Sequence, residues 1–236
     1  MRILSTIQKI GHTLGIEVQK YPTRVQRHRL SLFERNSIDL VLDVGANVGQ
    51  FGDEIRKNRY EGELISFEPM SSAFSKLSKR VVSDSKWTAR NYGLGALNET
   101  KSINISHLNS SSSILELDQN HFEANPDVKY IGKEDIEIRS LDSIFESTWK
   151  TNNVFLKLDV QGYELQVLKG AHQSLPNIKG LQVELSLAPL YRGEAEYMDI
   201  IGELKRHGFH LHYVIPGYTN QNTGQMLQVD GLFFKG

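Results

Sequence analysis

The 236-residue chain has no cysteine, only six prolines and two tryptophans, and a formal net charge of −1 at neutral pH. Without cysteine there is no disulfide framework, no thiolate zinc site, no iron–sulfur ligation and no cysteine nucleophile. No apolar run approaches the roughly 20 residues that a transmembrane helix needs. The N-terminal MRILSTIQKIGHTLGIEV lacks the uninterrupted apolar stretch and small-residue cleavage site of a secretory signal. A cytoplasmic protein is the expectation. What is present is ordinary for a globular chain: 39% hydrophobic and 23% charged residues. A domain of this size buries roughly 70 to 75% of the surface its unfolded chain exposes, enough for a core without crosslinks.

The near-zero charge conceals an asymmetry. Arg2, Lys9, Lys20, Arg24, Arg27, Arg29 and Arg35 face only Glu17 and Glu34 in residues 1–36, which leaves that segment at plus five and the remainder at minus six. Ile3, Leu4, Ile7, Ile10 and Leu14 recur at helical spacing there, so the segment reads as an amphipathic helix ended by Pro22. It would pack on the acidic body or in a homodimer; a phosphorylated carrier, a nucleic acid or an anionic membrane are the other anionic partners a basic arm can take.

After residue 36, short apolar runs alternate with helical segments, the pattern of an α/β protein on a mostly parallel sheet. Ile38 to Val44 is a first strand. Phe51, Ile55 and Tyr60 then lie along a helix that Gly62 can cap. Leu64 to Phe67 is a second strand, followed by a helix with Phe74, Leu77 and Val81 inward and Ser71 or Ser72 as cap. Trp87 to Tyr92 is a third strand. Ile103 with Ile105, and Ile136 with Ile138, mark two amphipathic strands around a long polar connection containing Ser110 to Ser113. So long a connection suits a surface or binding loop. Val154 to Val160 and Leu181 to Leu187 are strands, and each precedes a helix: Leu165, Leu168, Ala171 and Leu175, then Tyr197, Ile200, Ile201 and Leu204. Phe209 to Ile215 and Gln225 to Phe234 close the chain.

Asp43, Val44, Gly45, Ala46, Asn47, Val48 and Gly49 occupy the turn from the first strand into its helix, where parallel sheets bind ligands. The dinucleotide fingerprint needs a second glycine at position 47 so that the backbone reaches a pyrophosphate. Asn47 stands there instead. Glu68, 25 residues after Asp43, ends the second strand, where a carboxylate can accept both hydrogen bonds of a ribose diol. The pair points to a cofactor containing a nucleoside but no pyrophosphate at this turn.

LDVGANVGQ, FEP at 67–69, LKLDVQGYELQVLKG at 156–170 and VELSLAPLY at 183–191 together resemble the FkbM family of S-adenosylmethionine-dependent methyltransferases over about residues 38–235. The resemblance implies a Rossmann-like class I methyltransferase fold: a seven-stranded, mostly parallel sheet whose last two strands form an antiparallel hairpin. With the charge asymmetry, this divides the chain into a basic helical extension, 1–36, which no family motif covers, and a methyltransferase domain, 37–236. The resemblance also implies S-adenosylmethionine as cofactor and O-methylation of a small-molecule or glycan hydroxyl, on a sugar or secondary metabolite, rather than of nucleic acid. By that resemblance Gly45, Asn47 and Gly49 lie at the methionine and sulfonium end, Glu68 holds the ribose, and Tyr92, Gly93 and Leu94 lie near the adenine; Asp43, at the end of the first strand, is a further cofactor-binding candidate.

Methyl transfer to a hydroxyl needs alignment of the oxygen and removal of its proton. Asp159 and Glu184, on adjacent strands, are the catalytic candidates. Lys157 lies on the same strand face as Asp159, and its buried charge requires a partner, Asp159 or Glu184. Ser112, Ser113 and Tyr191 are the expected acceptor-pocket residues. His107 and His121 are alternative bases. No third oxygen ligand accompanies Asp159 and Glu184 at a metal-binding spacing, and the His210 and His212 pair lacks further ligands, so no metal site is expected. The competing readings are a nicotinamide-dependent oxidoreductase, disfavoured by Asn47, and a nucleoside-binding scaffold without turnover.

Overall fold

A computed structural model of the chain describes residues 6–7, 13–16, 21–107 and 111–236. Most of the expected N-terminal helix therefore lies outside the described residues; of its apolar positions, Ile7 and Leu14 are exposed. The first described long helix is α1, Arg24–Arg35, inside the basic extension of residues 1–36 but beyond Pro22, where the helical spacing of apolar residues ends. Its start is a capping box: Thr23 Oγ1 accepts from the Gln26 amide at 3.3 Å, and the Gln26 side chain accepts from the Thr23 amide at 2.8 Å. Leu32 and Phe33, four and three residues from its end at Asn36, turn one face of α1 into the core. The Phe33 ring lies 4.6 Å from Phe155 and 5.6 Å from Tyr60, so this helix is built into the same core as the sheet.

The sheet follows as β1 Leu40–Val44, β2 Glu63–Phe67, β3 Trp87–Arg90, β7 Val154–Leu158, β8 Ile178–Ser186, β9 Phe209–Pro216 and β10 Gln228–Lys235, in the spatial order β3-β2-β1-β7-β8-β10-β9. All pairings are parallel except those of β10, which runs antiparallel to β8 and β9. The expected seven-stranded sheet with a C-terminal hairpin is what forms. Every residue of β1 and β7 is buried, which explains their near-continuous apolar composition. The chain steps outward from β1 to β3, then restarts at β7 on the other side of β1. That reversal between β1 and β7 opens a crevice at the carboxyl ends of the strands.

Helices α2, Gln50–Lys57, and α3, Ser71–Val81, follow β1 and β2; α6, Glu164–Lys169, and α7, Tyr197–Arg206, follow β7 and β8. Helix α2 stops at Asn58, and Arg59 takes the left-handed turn (φ 68°), so Gly62 does not cap it. Gly62 is instead pressed against the Tyr60 hydroxyl and the Asp39 carbonyl, which leave no room for a Cβ. Ser71 opens α3 as its first residue rather than capping it; the amides of Met70 and Ser71 are taken by Glu68 Oε1 at 2.9 Å and Glu134 Oε1 at 3.0 Å. Strand β3 ends at Arg90, short of Tyr92.

The two expected amphipathic strands are β5 Glu99–Ser106 and β6 Tyr130–Arg139, paired antiparallel and joined by β4 Gly93–Leu94 into a second sheet of order β4-β6-β5. Ile103, Ile136 and Ile138 pack on Met70 and Ala73 of the α3 region as a separate small core. The described part of the long connection between them carries α4, Gln119–Ala124, and is tied down by paired backbone bonds between Asn104 and Ser113 (2.8 and 3.2 Å) and by a bridge from Leu117 to Tyr191.

Because Phe33 is only 3% exposed, truncating it leaves a cavity between α1 and β7. Phe33→Ala is expected to lower unfolding free energy by about 3 kcal/mol. Denaturant unfolding of the variant checks this, and unchanged stability would mean that α1 is a separable extension.

Candidate active site

The turn after β1 holds Gly45 (φ 76°), Asn47 (φ 48°) and Gly49 (φ 91°) in left-handed conformations, and the two glycines have different tasks. At Gly45 a Cβ would overlap the Asp159 carbonyl oxygen, so the ends of β1 and β7 touch here through backbone. At Gly49 a Cβ would run into Leu77, Arg80 and Trp87, side chains of α3 and β3. Gly49 therefore faces the core and not the ligand space expected of it. The Asn47 amide donates to Glu68 Oε2 at 2.8 Å, while Glu68 Oε1 accepts from Met70. Glu68 ties the two turns together, and burial pushes its carboxyl up to about 7. The Asn47 Oδ1 has no partner.

A cavity of about 660 Å³ opens over these turns and extends across the carboxyl ends of the sheet to β10. Of the expected residues, Gly45, Asn47, Glu68, Gly93, Leu94, Ser112, Lys157, Asp159 and Glu184 line it. Five others do not. Asp43 is fully buried beneath the turn. Gly49 faces α3, as above. Tyr92 packs on Phe67 under the Arg139 guanidinium, 4.3 Å from its ring centre. Ser113 and Tyr191 are buried at 1% and 0% exposure and are spent on protein contacts.

Lys157 sits at the centre. Its Nζ lies 3.3 Å from Asp43 Oδ1 and 3.2 Å from Asp159 Oδ2, and reaches the Gly45 carbonyl at 3.4 Å. Burial disfavours its charge, but the two carboxylates outweigh burial and hold the ammonium proton well above its ordinary range. The partner is Asp159 together with Asp43, not Glu184.

The residue that pattern reasoning passed over is Gln161. In a left-handed conformation (φ 54°), its Nε2 donates to Asp159 Oδ1 at 2.7 Å and to Glu184 Oε2 at 2.9 Å. The Tyr191 hydroxyl donates to Gln161 Oε1 at 2.7 Å, and the Ser113 hydroxyl to the Gln161 carbonyl at 2.6 Å. Ser113 and Tyr191 thus orient the residue that holds both carboxylates, rather than shaping an acceptor pocket. The available signal was its place in DVQGYE, a polar side chain directly after a strand-end aspartate.

Burial, with Asp159, Glu164 and Asp230 nearby, raises the Glu184 carboxyl well above its usual range. Five acids line the cavity, namely Glu54, Glu68, Asp159, Glu184 and Asp230, against Arg29 and Lys157. His121 also lines it, buried, with Nδ1 unpartnered and its pKa lowered by burial. His107, His210 and His212 lie exposed outside it. Among the described residues no group of three or more metal-ligating side chains forms a site, and no helix is long and apolar enough to cross a membrane.

Residues 43–211 match the methyltransferase FkbM domain. The chain belongs to the FkbM methyltransferase family. This FkbM methyltransferase is 23% identical over 188 residues, 76% of each chain, to the 2-O-methyltransferase NoeI of Sinorhizobium fredii. Its fold resembles a Listeria monocytogenes serotype 4b protein, with a TM-score of 0.51 at 9% identity over 91% of this chain and 68% of that one. It also resembles the methyltransferase domain of bacterial CtHen1-C, with a TM-score of 0.50 at 7% identity over 90% and 97%.

Behind the acid pair, Glu164 Oε1 accepts from the amides of Val160 (2.9 Å) and Gly162 (3.4 Å), and burial pushes this carboxyl from 4.5 up to about 7. The folded protein therefore binds this proton more tightly than the unfolded chain, and stability falls as pH rises through that window. Glu164→Gln keeps an oxygen acceptor and removes the ionisation. Its Tm is expected to drop less than wild type between pH 5 and pH 8 in thermal melts; an identical drop would remove Glu164 from the pH dependence.

Proposed function

We propose that the protein is an S-adenosylmethionine-dependent O-methyltransferase acting on a hydroxyl of a sugar or secondary metabolite. The observation that carries the reading is the junction of two features in one cavity: the Gly45 to Asn47 turn tied to Glu68, and the Asp159 and Glu184 pair held by Gln161. The Sinorhizobium fredii relative, by its name a 2-O-methyltransferase, supports oxygen as the methylated atom.

The residues fit the cofactor. Gly45 and Asn47 line one wall, the Asn47 Oδ1 has no partner among the described residues, and the excess of carboxylates suits a cation. Gly45 and Asn47 would hold its methionine end, Glu68 its ribose and Gly93 with Leu94 its base. When bound, S-adenosylmethionine supplies a methyl carbon on a sulfonium that leaves as a neutral thioether.

The two acids divide the remaining work. Asp159 is paired with Lys157 at 3.2 Å, which suits it to orienting the acceptor hydroxyl. Among the described residues no cation forms an ion pair with Glu184, and burial beside other carboxylates outweighs the more distant Lys157 and makes its anion proton-hungry. Glu184 therefore takes the proton from the acceptor oxygen as that oxygen attacks. Gln161 keeps both carboxylates aimed, because its amide donates to each.

Glu184→Gln is expected to lower methyl transfer about 100-fold or more while leaving S-adenosylmethionine binding intact. Since a base works only when ionised, kcat/KM should rise with pH, with the midpoint above the ordinary carboxylate range. That limb should vanish in the variant. The check is transfer of a labelled methyl group across pH, with His121→Gln as control; a limb lost in His121→Gln and kept in Glu184→Gln assigns the base to the histidine. Calorimetric binding of NAD without S-adenosylmethionine binding would replace the whole reading with an oxidoreductase, and binding without transfer to any hydroxylated acceptor would favour a scaffold.

A further inference from the structure

The cations that line the cavity are already committed. Among its described lining residues the arginine and lysine side chains are Arg29 and Lys157. Lys157 lies between Asp43 and Asp159, and Arg29 forms an ion pair with Glu54. A phosphate, sulfate or carboxylate entering here would meet carboxylates and, among the described lining residues, no uncommitted cation to offset its charge, and juxtaposed like charges are a strong bar to binding.

What the far end of the cavity does offer is neutral hydrogen-bonding capacity. Among the described residues Gln182 Oε1, Gln228 Nε2 and Arg29 Nε have no partner, although these residues are only 4%, 7% and 6% exposed. Native proteins leave few buried polar atoms unpaired. All three of these residues line the cavity, as do Asn47 and His121 with their own unpartnered atoms. Their placement follows from the fold. Glu184 on β8 stands opposite Asp230 on β10. Gln182 and Gln228 lie two residues from these, so all four side chains share one face of the sheet. Arg29 precedes Leu32 and Phe33 by three and four residues, so the face of α1 that anchors in the core also delivers its guanidinium inward. Burial raises the Asp230 carboxyl, and Gln182, Lys157 and Arg29 partly offset that rise.

We propose that the β8 and β10 end of the cavity is the acceptor subsite, where Arg29, Gln182 and Gln228 bind the hydroxyl groups of an uncharged polyhydroxylated acceptor, a glycoside rather than a sugar phosphate, a nucleotide sugar or a nucleic acid. The inference rests on the methyltransferase reading and narrows its substrate. The unpartnered Gln182 Oε1 can accept and the unpartnered Gln228 Nε2 can donate, which matches hydroxyls that both give and take hydrogen bonds. The guanidinium, paired through its terminal nitrogen, keeps Nε for a neutral oxygen.

The test uses the full chain, S-adenosylmethionine labelled in its methyl group, and matched acceptors: the methyl glycosides of glucose, galactose and mannose beside their 6-phosphates and UDP-glucose. Label is expected on at least one glycoside, with kcat/KM about tenfold or more above that of its phosphorylated counterpart, the ratio expected from one unfavourable contact. Gln182→Leu, Gln228→Leu and Arg29→Met should each raise acceptor KM about tenfold, the loss of one hydrogen bond in a dry site. The S-adenosylmethionine dissociation constant, measured by calorimetry, should stay unchanged. Three variants on three elements keep the test standing if one fails to fold. Equal or better turnover of the phosphorylated acceptors overturns the proposal, as does label on no glycoside, or variants that weaken cofactor binding and leave acceptor KM alone. Absence of S-adenosylmethionine binding to the wild-type chain would instead overturn the methyltransferase reading beneath it.

Discussion

A lysine ammonium buried at the carboxyl ends of two adjacent parallel strands has to be paired, because an isolated charge there would cost several kcal/mol. Lys157 meets that demand with Asp43, its register partner across β1 and β7, and with Asp159, the residue directly after its own strand. The consequences spread from this contact. The two strand ends are drawn into register at the point where the sheet's connectivity reverses. The turn after β1 must then pass so close to Asp159 that only glycine fits at position 45. The turn that suits a cofactor and the acid pair that suits an acceptor are thereby held on either side of a single buried cation.

From that centre, orientation is relayed by Gln161 rather than by direct contact between the acids. Two like-charged carboxylates on neighbouring strands repel one another unless donors lie between them. One side-chain amide donates to both, and its own position is secured from two distant parts of the chain: Ser113 in the connection between β5 and β6, and Tyr191 after β8. The serine-rich connection is therefore more than a surface loop. Its described part joins the second sheet, through the Asn104 and Ser113 pairing, to the residue that aims the acids.

How much of this is legible in the chain follows from which forces are local. Strands covered on both faces must be apolar, so β1 and β7 stand out, and the polar residues that interrupt them, Asp43 and Lys157, are the ones at the site. Glu68 is legible in the same way, as a carboxylate where an apolar run stops. Position relative to the ligand space is not local. Gly45 and Gly49 look alike in sequence, and only the packing of Leu77, Arg80 and Trp87 turns one of them toward the core. Ser113 and Tyr191 are polar residues in plausible loops, and their burial against Gln161 depends on segments up to 48 residues away. Helix α1 was passed over because its apolar content is small; the Thr23 and Gln26 capping box and the Leu32 and Phe33 pair were its local marks.

The division of charge between the first 36 residues and the rest has a structural counterpart at one residue. Arg24, Arg27 and Arg35 of α1 stay exposed, while Arg29 is carried inward by the same face that buries Leu32 and Phe33. There it meets Glu54, lies over the Phe51 ring at 5.2 Å, and moderates Asp230. Remove that helix and the β10 side of an acidic cavity loses its cation, its hydrophobic cover from Leu32 and Phe33, and a donor that neither strand can supply. The basic segment thus belongs to the site in a physical sense: its charge is needed where the body's acids are most crowded. Because that charge is spent on Glu54, what it leaves facing the cavity is a directional N–H donor rather than a free positive field.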